Sequence, residues 1–114
     1  MSDLQVNPFL HRGTITIPTS DTVSTGTQVL TEAQSCLTTH IVLTTPAMED
    51  TDSTLMQITN ASDAVFFTSG TKAESTTTTT GSQIVTVAGD KIVMTAEGTQ
   101  SAARAIVYEL RGHR

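Results

Sequence analysis

Cys36, three histidines and one acidic run are the residues of this chain whose chemistry could make a site. Cys36 and His40 would share one face of a strand, but roughly 13 Å apart, too far for a thiolate–imidazole pair. With Ser35 and Leu37 beside it, Cys36 reads as a small buried thiol at a strand start. A single cysteine allows no intrachain disulfide, which suits assembly in a reducing cytoplasm. His11, His40 and His113 have no neighbours at zinc-ligand spacing, so no metal is expected. Glu49-Asp50-Thr51-Asp52 resembles the opening of a calcium loop. It lacks the following glycine and the distal glutamate, so it reads as a solvated acidic loop. No Gly-x-Ser-x-Gly elbow and no glycine-rich phosphate loop occurs. The expectation is a protein that is not an enzyme and takes no cofactor.

Charge narrows the partners. The net charge is −5, and the only lysines are Lys72 and Lys91. A nucleic-acid surface needs clustered cations to neutralise phosphates, so none is expected. No run of apolar residues is long enough for a membrane-spanning helix. The opening MSDLQVNPFLHRG lacks a basic start followed by an apolar stretch, so no signal peptide is expected. Without a secretory route, the sequon Asn60-Ala61-Ser62 reads as a turn. His11, Arg12, Arg111, His113 and Arg114 would form a basic cluster if the two ends meet, a surface suited to an acidic partner; otherwise they are solvated termini.

These residues must be positioned mostly by strands. The chain of 114 residues holds 24 threonines and is only 4% aromatic. Threonine is β-branched, stiff at χ1 and suited to a pleated, half-wet surface. Gly13–Ile17 alternates cleanly and stops at Pro18. Thr19–Thr27 is a long loop or a short edge strand around Val23, and Gln28–Leu30 pairs briefly. Glu32–Gln34 allows one helical turn. In Leu37–Thr45, Leu37, Thr39, Ile41 and Leu43 take one face. Thr54–Thr59, the turn Asn60–Asp63 and Ala64–Thr68 form a hairpin. Ser75–Thr80 is a low-complexity threonine run that reads as an edge strand or exposed hairpin. Gln83–Val87 and Lys91–Glu97 form a second hairpin about Ala88-Gly89-Asp90. Ala102–Leu110 is the last strand, with Arg104, Ile106, Tyr108 and Leu110 on one face.

The fold expected is all-β: a single antiparallel sandwich of roughly seven or eight strands, Ig-like or jelly-roll, over residues 13–114, preceded by an arm over 1–12. The expected core is Ile15, Ile17, Ile41, Leu43, Ile58, Val65, Phe67, Val85, Val87, Ile92, Met94, Ile106 and Tyr108. Val6, Phe9 and Leu10 are apolar without a period and need cover. The threonine run offers backbone to a neighbouring strand. Association is therefore expected through Val6, Phe9, Leu10, Arg12, Thr77, Thr78, Thr79 and Arg111.

The second half of the chain adds a resemblance. Leu55–Gly70 (LMQITNASDAVFFTSG), Val87–Gly98 (VAGDKIVMTAEG) and Ser101–Leu110 (SAARAIVYEL) resemble the small β-sandwich accessory proteins that decorate capsids or tails of tailed bacteriophages. The resemblance implies a non-enzymatic virion protein, foremost a capsid decoration or cement protein. It would dock as a homo-oligomer on the major capsid protein or other virion proteins. A tail, neck or baseplate component is the alternative within that class. A carbohydrate-binding sandwich is the alternative outside it, although such modules favour aromatic platforms and this chain has no tryptophan.

Overall fold

A computed structural model describes residues 8–49 and 53–114. Within them the strands are β1 (Pro8–Ile17), β2 (Val23–Val29), β3 (Cys36–Thr44), β4 (Thr54–Thr59), β5 (Val65–Lys72), β6 (Thr77–Thr86), β7 (Lys91–Glu97) and β8 (Arg104–His113). They form two 4-stranded sheets, ordered β1-β8-β3-β6 and β2-β7-β4-β5, and every strand pair is antiparallel. The pairs β1·β8, β2·β7, β3·β6 and β4·β5 nest inside one another. The chain is thus one long ribbon, folded at the β4–β5 turn and wound into two sheets, which is the jelly-roll arrangement. The one helical segment described is a 3₁₀ turn at Glu32–Gln34, fastened by the Thr31 amide donating to Oε1 of Gln34 at 2.8 Å.

The ribbon's tip is a local product of sequence. The Asn60 side chain accepts from the amides of Ser62 (2.8 Å) and Ala64 (3.0 Å). Asp63 takes the left-handed conformation, φ 68°, which short polar side chains tolerate. Asn60-Ala61-Ser62 is therefore a turn, as its composition suggests.

Alternation builds the core. Ile15 and Ile17, Ile41 and Leu43, Met56 and Ile58, Ile92 and Met94, and Ile106, Tyr108 and Leu110 all lie buried between the sheets. Leu30 and Met48 close the ends of the cluster. Ten of the thirteen expected core residues are buried there, and three are not. Val65, Val85 and Val87 are 51%, 63% and 52% exposed. Val85 points outward because the inward row of β6 runs through Ile84 and Thr86. Val87 lies beyond the end of β6. Val65 is displaced by a register shift in β4·β5, where Ile58 pairs with Phe67 but Thr59 pairs with Val65, leaving Phe66 as an extra residue.

Three further expectations are corrected. Pro8–Arg12 is not an arm but the first half of β1, pairing with Glu109–His113. Val6 and the rest of 1–7 lie outside the described residues. The expected hairpin of Gln83–Val87 with Lys91–Glu97 is a tight turn between sheets: β6 pairs with β3, while β7 pairs with β2 and β4. Leu37 does not share the face of Ile41. A register shift between Thr38 and His40 places one extra residue, Thr39, against β8. Cys36 and Thr38 therefore point inward, Leu37 is 42% exposed, and the inward row resumes at Ile41.

The two flanks of the sandwich differ. On one, β1 packs against β2. A Cβ on Gly26 of β2 would stand 2.5 Å from Cγ2 of Ile15. On the other flank the edge strands are β6 and β5. Each has its extensive contacts only with its own sheet neighbour, β3 or β4.

Candidate interface on the outer sheet face

The β1·β8 pairing brings the two ends of the described chain together. Arg12 and Glu109 are directly opposed across it, and Arg111 follows on the same face of β8. Arg12 Nη1 reaches Glu109 Oε1 at 3.2 Å. Arg111 holds the other oxygen, Nη2 at 2.7 Å and Nε at 2.9 Å. The Glu109 side chain is only 12% exposed, against 65% and 55% for the two arginines. Two cations on one carboxylate leave this spot positive on an acidic chain. With both arginines largely in water, the pairs contribute little to stability, on the order of 1 kcal/mol or less each. Their guanidinium edges remain open to a partner.

Below this triad, Pro8, Phe9, Leu10, Thr39, Arg111 and Gly112 line a shallow hollow of about 400 Å³. The Arg114 guanidinium lies 5.2 Å from the centroid of the Phe9 ring, a cation–π distance. The bulged Thr39 donates to the Arg111 carbonyl at 3.2 Å, which fixes one wall. Gly112 is dictated by space: a Cβ there would fall 1.8 Å from the Leu37 carbonyl oxygen. Beside the hollow, Pro8, His113, Leu37 and Val85 fall in one row across the sheet. Leu10, Leu37 and Val85 are 59%, 42% and 63% exposed.

Of the expected association residues, Phe9, Leu10 and Arg111 meet in the hollow and Arg12 stands beside it. Thr77, Thr78 and Thr79 lie apart from them, on β6 at the sheet edge. Thr77 and Thr79 face outward, with Thr77 Oγ1 3.3 Å from Thr44 Oγ1, while Thr78 is half-buried on the inner side. Leu37, Val85 and Thr39 escaped the sequence reading. Each depends on the bulge or on cross-strand pairing, which no local pattern announces.

The chemistry-bearing residues are dispersed. Cys36 is buried at the start of β3, its sulfur 3.1 Å from Thr38 Oγ1. The bulge sends His40 to the outer face, so the two do not share a face as expected. His11 points inward from β1, its Nε2 2.9 Å from the Tyr108 hydroxyl. Burial holds the His11 imidazole below its ordinary pKa and pushes the Tyr108 phenol up to about 12. Glu49 is held below the usual carboxylate range, first by hydrogen bonds from Ser101 and then by Arg104, 3.8 Å away. Asp50 and Asp52 lie outside the described residues. Among the described residues, no group of three His, Cys, Asp or Glu side chains could hold a metal ion, and no helix is long and apolar enough to cross a membrane.

No protein-family model matches the chain, and no curated protein matches it in sequence.

Proposed function

We propose that this protein is a structural component of a virion, a decoration or cement protein that docks on the head. The observation that carries the reading is the outer face of the β1-β8-β3-β6 sheet. There Leu10, Leu37 and Val85 stand exposed beside a hollow rimmed by Arg111, on a chain otherwise rich in threonine. Exposed apolar surface rimmed by charge marks interaction sites, and arginine is favoured in them. A jelly roll supports the reading by analogy of fold alone, since it builds capsid and lectin domains alike. The partner that fits this face is a protein surface offering apolar side chains and a carboxylate, as the major capsid protein or another virion protein would.

The reading requires that the gene lie in a phage genome, and immunogold labelling of that phage's virions then tests it. Gold on the heads is the expected result, and gold on tails, necks or baseplates assigns the alternative virion location. Particles that carry no label overturn the reading.

A further inference from the structure

Four strands lie at sheet edges, and three are guarded. An unpaired edge is a template for another strand unless proline, charge, a bulge or a cover protects it. β1 carries Pro8, His11 and Arg12 and packs against β2, so these two strands shield one flank together. β5 ends in Lys72, bends at Gly70 with φ 71°, and is interrupted by two register shifts. β6 lacks proline, charge and cover, and its one irregularity is a register shift against β3, where Thr38 pairs with Ile84 but His40 with Gly81. Its 10 residues, TTTTGSQIVT, include no charge and no proline. Exposed and half-buried residues alternate regularly along it, and among the described residues it pairs with β3 alone. Its inward residues Thr78, Thr80, Ser82 and Ile84 are only half-buried, and Ile84 is packed against the core yet open on the free side.

The composition of β6 also matches itself. A two-fold axis perpendicular to the sheet sets outward residues against outward ones, so only registers that keep this parity are allowed. Centring on Gly81 pairs Thr77 through Val85, with Thr79 opposite Gln83 and Thr78 opposite Ile84. Centring on Ser82 pairs Thr78 through Thr86, with Thr80 opposite Ile84. Either register sets neutral, small or β-branched side chains against one another, and no like charges meet. In both, a threonine methyl comes beside the open side of Ile84. No atom lies within 4 Å of where a Gly81 Cβ would stand, so the outer face is clear at the centre of the strand.

We propose that β6 pairs antiparallel with β6 of a second copy, joining two β1-β8-β3-β6 sheets into one continuous sheet across a two-fold axis at Gly81 or Ser82. This specifies the self-association within the virion reading, but it stands or falls without a particle, because the purified chain alone tests it.

Sedimentation velocity over a concentration series is expected to show a dimer. Thr80→Lys places a charge on the inner side of the edge, which the monomer can extend into water but the pair must bury. It is expected to weaken dimerisation at least tenfold, with an unchanged far-UV spectrum. Gly81→Cys or Ser82→Cys is expected to cross-link to itself on mild oxidation, while Thr14→Cys, on the exposed face of β1, does not. The native Cys36 is buried and leaves the background silent. If Thr80→Lys does not fold, the cysteine variants decide. A wild-type chain that stays monomeric throughout the series, or a dimer that neither cysteine traps, overturns the proposal and leaves the edge to a strand from another protein.

Discussion

The Tyr108 ring lies over Gly13, its direct partner across the β1·β8 ladder, and a Cβ at Gly13 would stand 2.5 Å from the phenol oxygen. The missing side chain is what lets the phenol cross β1 and meet His11, ring centroids 5.4 Å apart and nearly perpendicular. Gly13→Ala should therefore destabilise the fold by about 1–3 kcal/mol, the usual cost of overfilling a packed site. Urea unfolding of the two proteins, compared at one pH, measures it.

Tyr108 is the sole tyrosine of a chain without tryptophan, so near-ultraviolet absorbance reports on it directly. Its phenol should ionise at about 12 in the folded protein, and near the ordinary value of about 10 once unfolded. The folded state then keeps a proton that the unfolded chain releases. The stabilisation is complete below about pH 10 and is lost as pH rises toward 12. A folded-state titration midpoint near 10 would contradict the burial of this ring.

His11 acts on the acid side. Its folded pKa lies below the ordinary 6.5, so between the two values the unfolded chain binds the extra proton. Stability is therefore full above about pH 6.5 and falls as the solution is acidified through that range. Thermal melts from pH 7.5 to 5 should show the slope in the wild type and a flatter profile in His11→Gln. Glu49 contributes at lower pH, since its depressed carboxyl pKa loses its benefit only below the ordinary carboxylate value.

Two glycines should respond in opposite ways to the same substitution. Gly112→Ala drives a methyl into the Leu37 backbone, which cannot step aside as a side chain would. A loss of about 3 kcal/mol or failure to fold is expected. Gly81→Ala meets open space and removes chain entropy from the unfolded state, so it should be neutral or stabilising by roughly 0.5 kcal/mol. Paired melting curves of the two variants suffice.

A similar contrast separates the faces of the sheet. Ile106 is fully buried and Val85 is 63% exposed. Ile106→Ala should cost about 2–5 kcal/mol, and Val85→Ala within about 0.5 kcal/mol. Near-equal losses in denaturant titration would mean that the outer face is covered.

Alternation made the strands legible because it is local: Ile15 and Ile17, Ile92 and Met94, and Ile106 and Tyr108 each state their facing within a few residues. The edge character of the threonine run was legible for the same reason. What escaped were the relations between distant segments. Nothing near Thr39 announces an extra residue, yet it decides that Leu37 faces water and Ile41 the core. Gln83–Val87 and Lys91–Glu97 look like a hairpin because a tight turn joins them, and only the partners β3 and β2 draw them into separate sheets. The outer-face patch was half visible. Leu10 and Arg111 stood out as apolar or basic residues near the ends, whereas Leu37 and Val85 joined them only through pairing.

The nesting of strand pairs sets an order of events. β4 and β5 can meet within moments of leaving the ribosome, joined by a turn that Asn60 ties by itself. Among the described strands β1 has no sheet neighbour but β8, so it must wait, unpaired, until β8 is made. Contacts of such high sequence separation slow folding and leave strand edges bare meanwhile. The nascent chain is therefore most vulnerable to aggregation just before Arg104–His113 emerges, and loss of that one strand would leave β1 with no sheet neighbour and β3 with β6 alone.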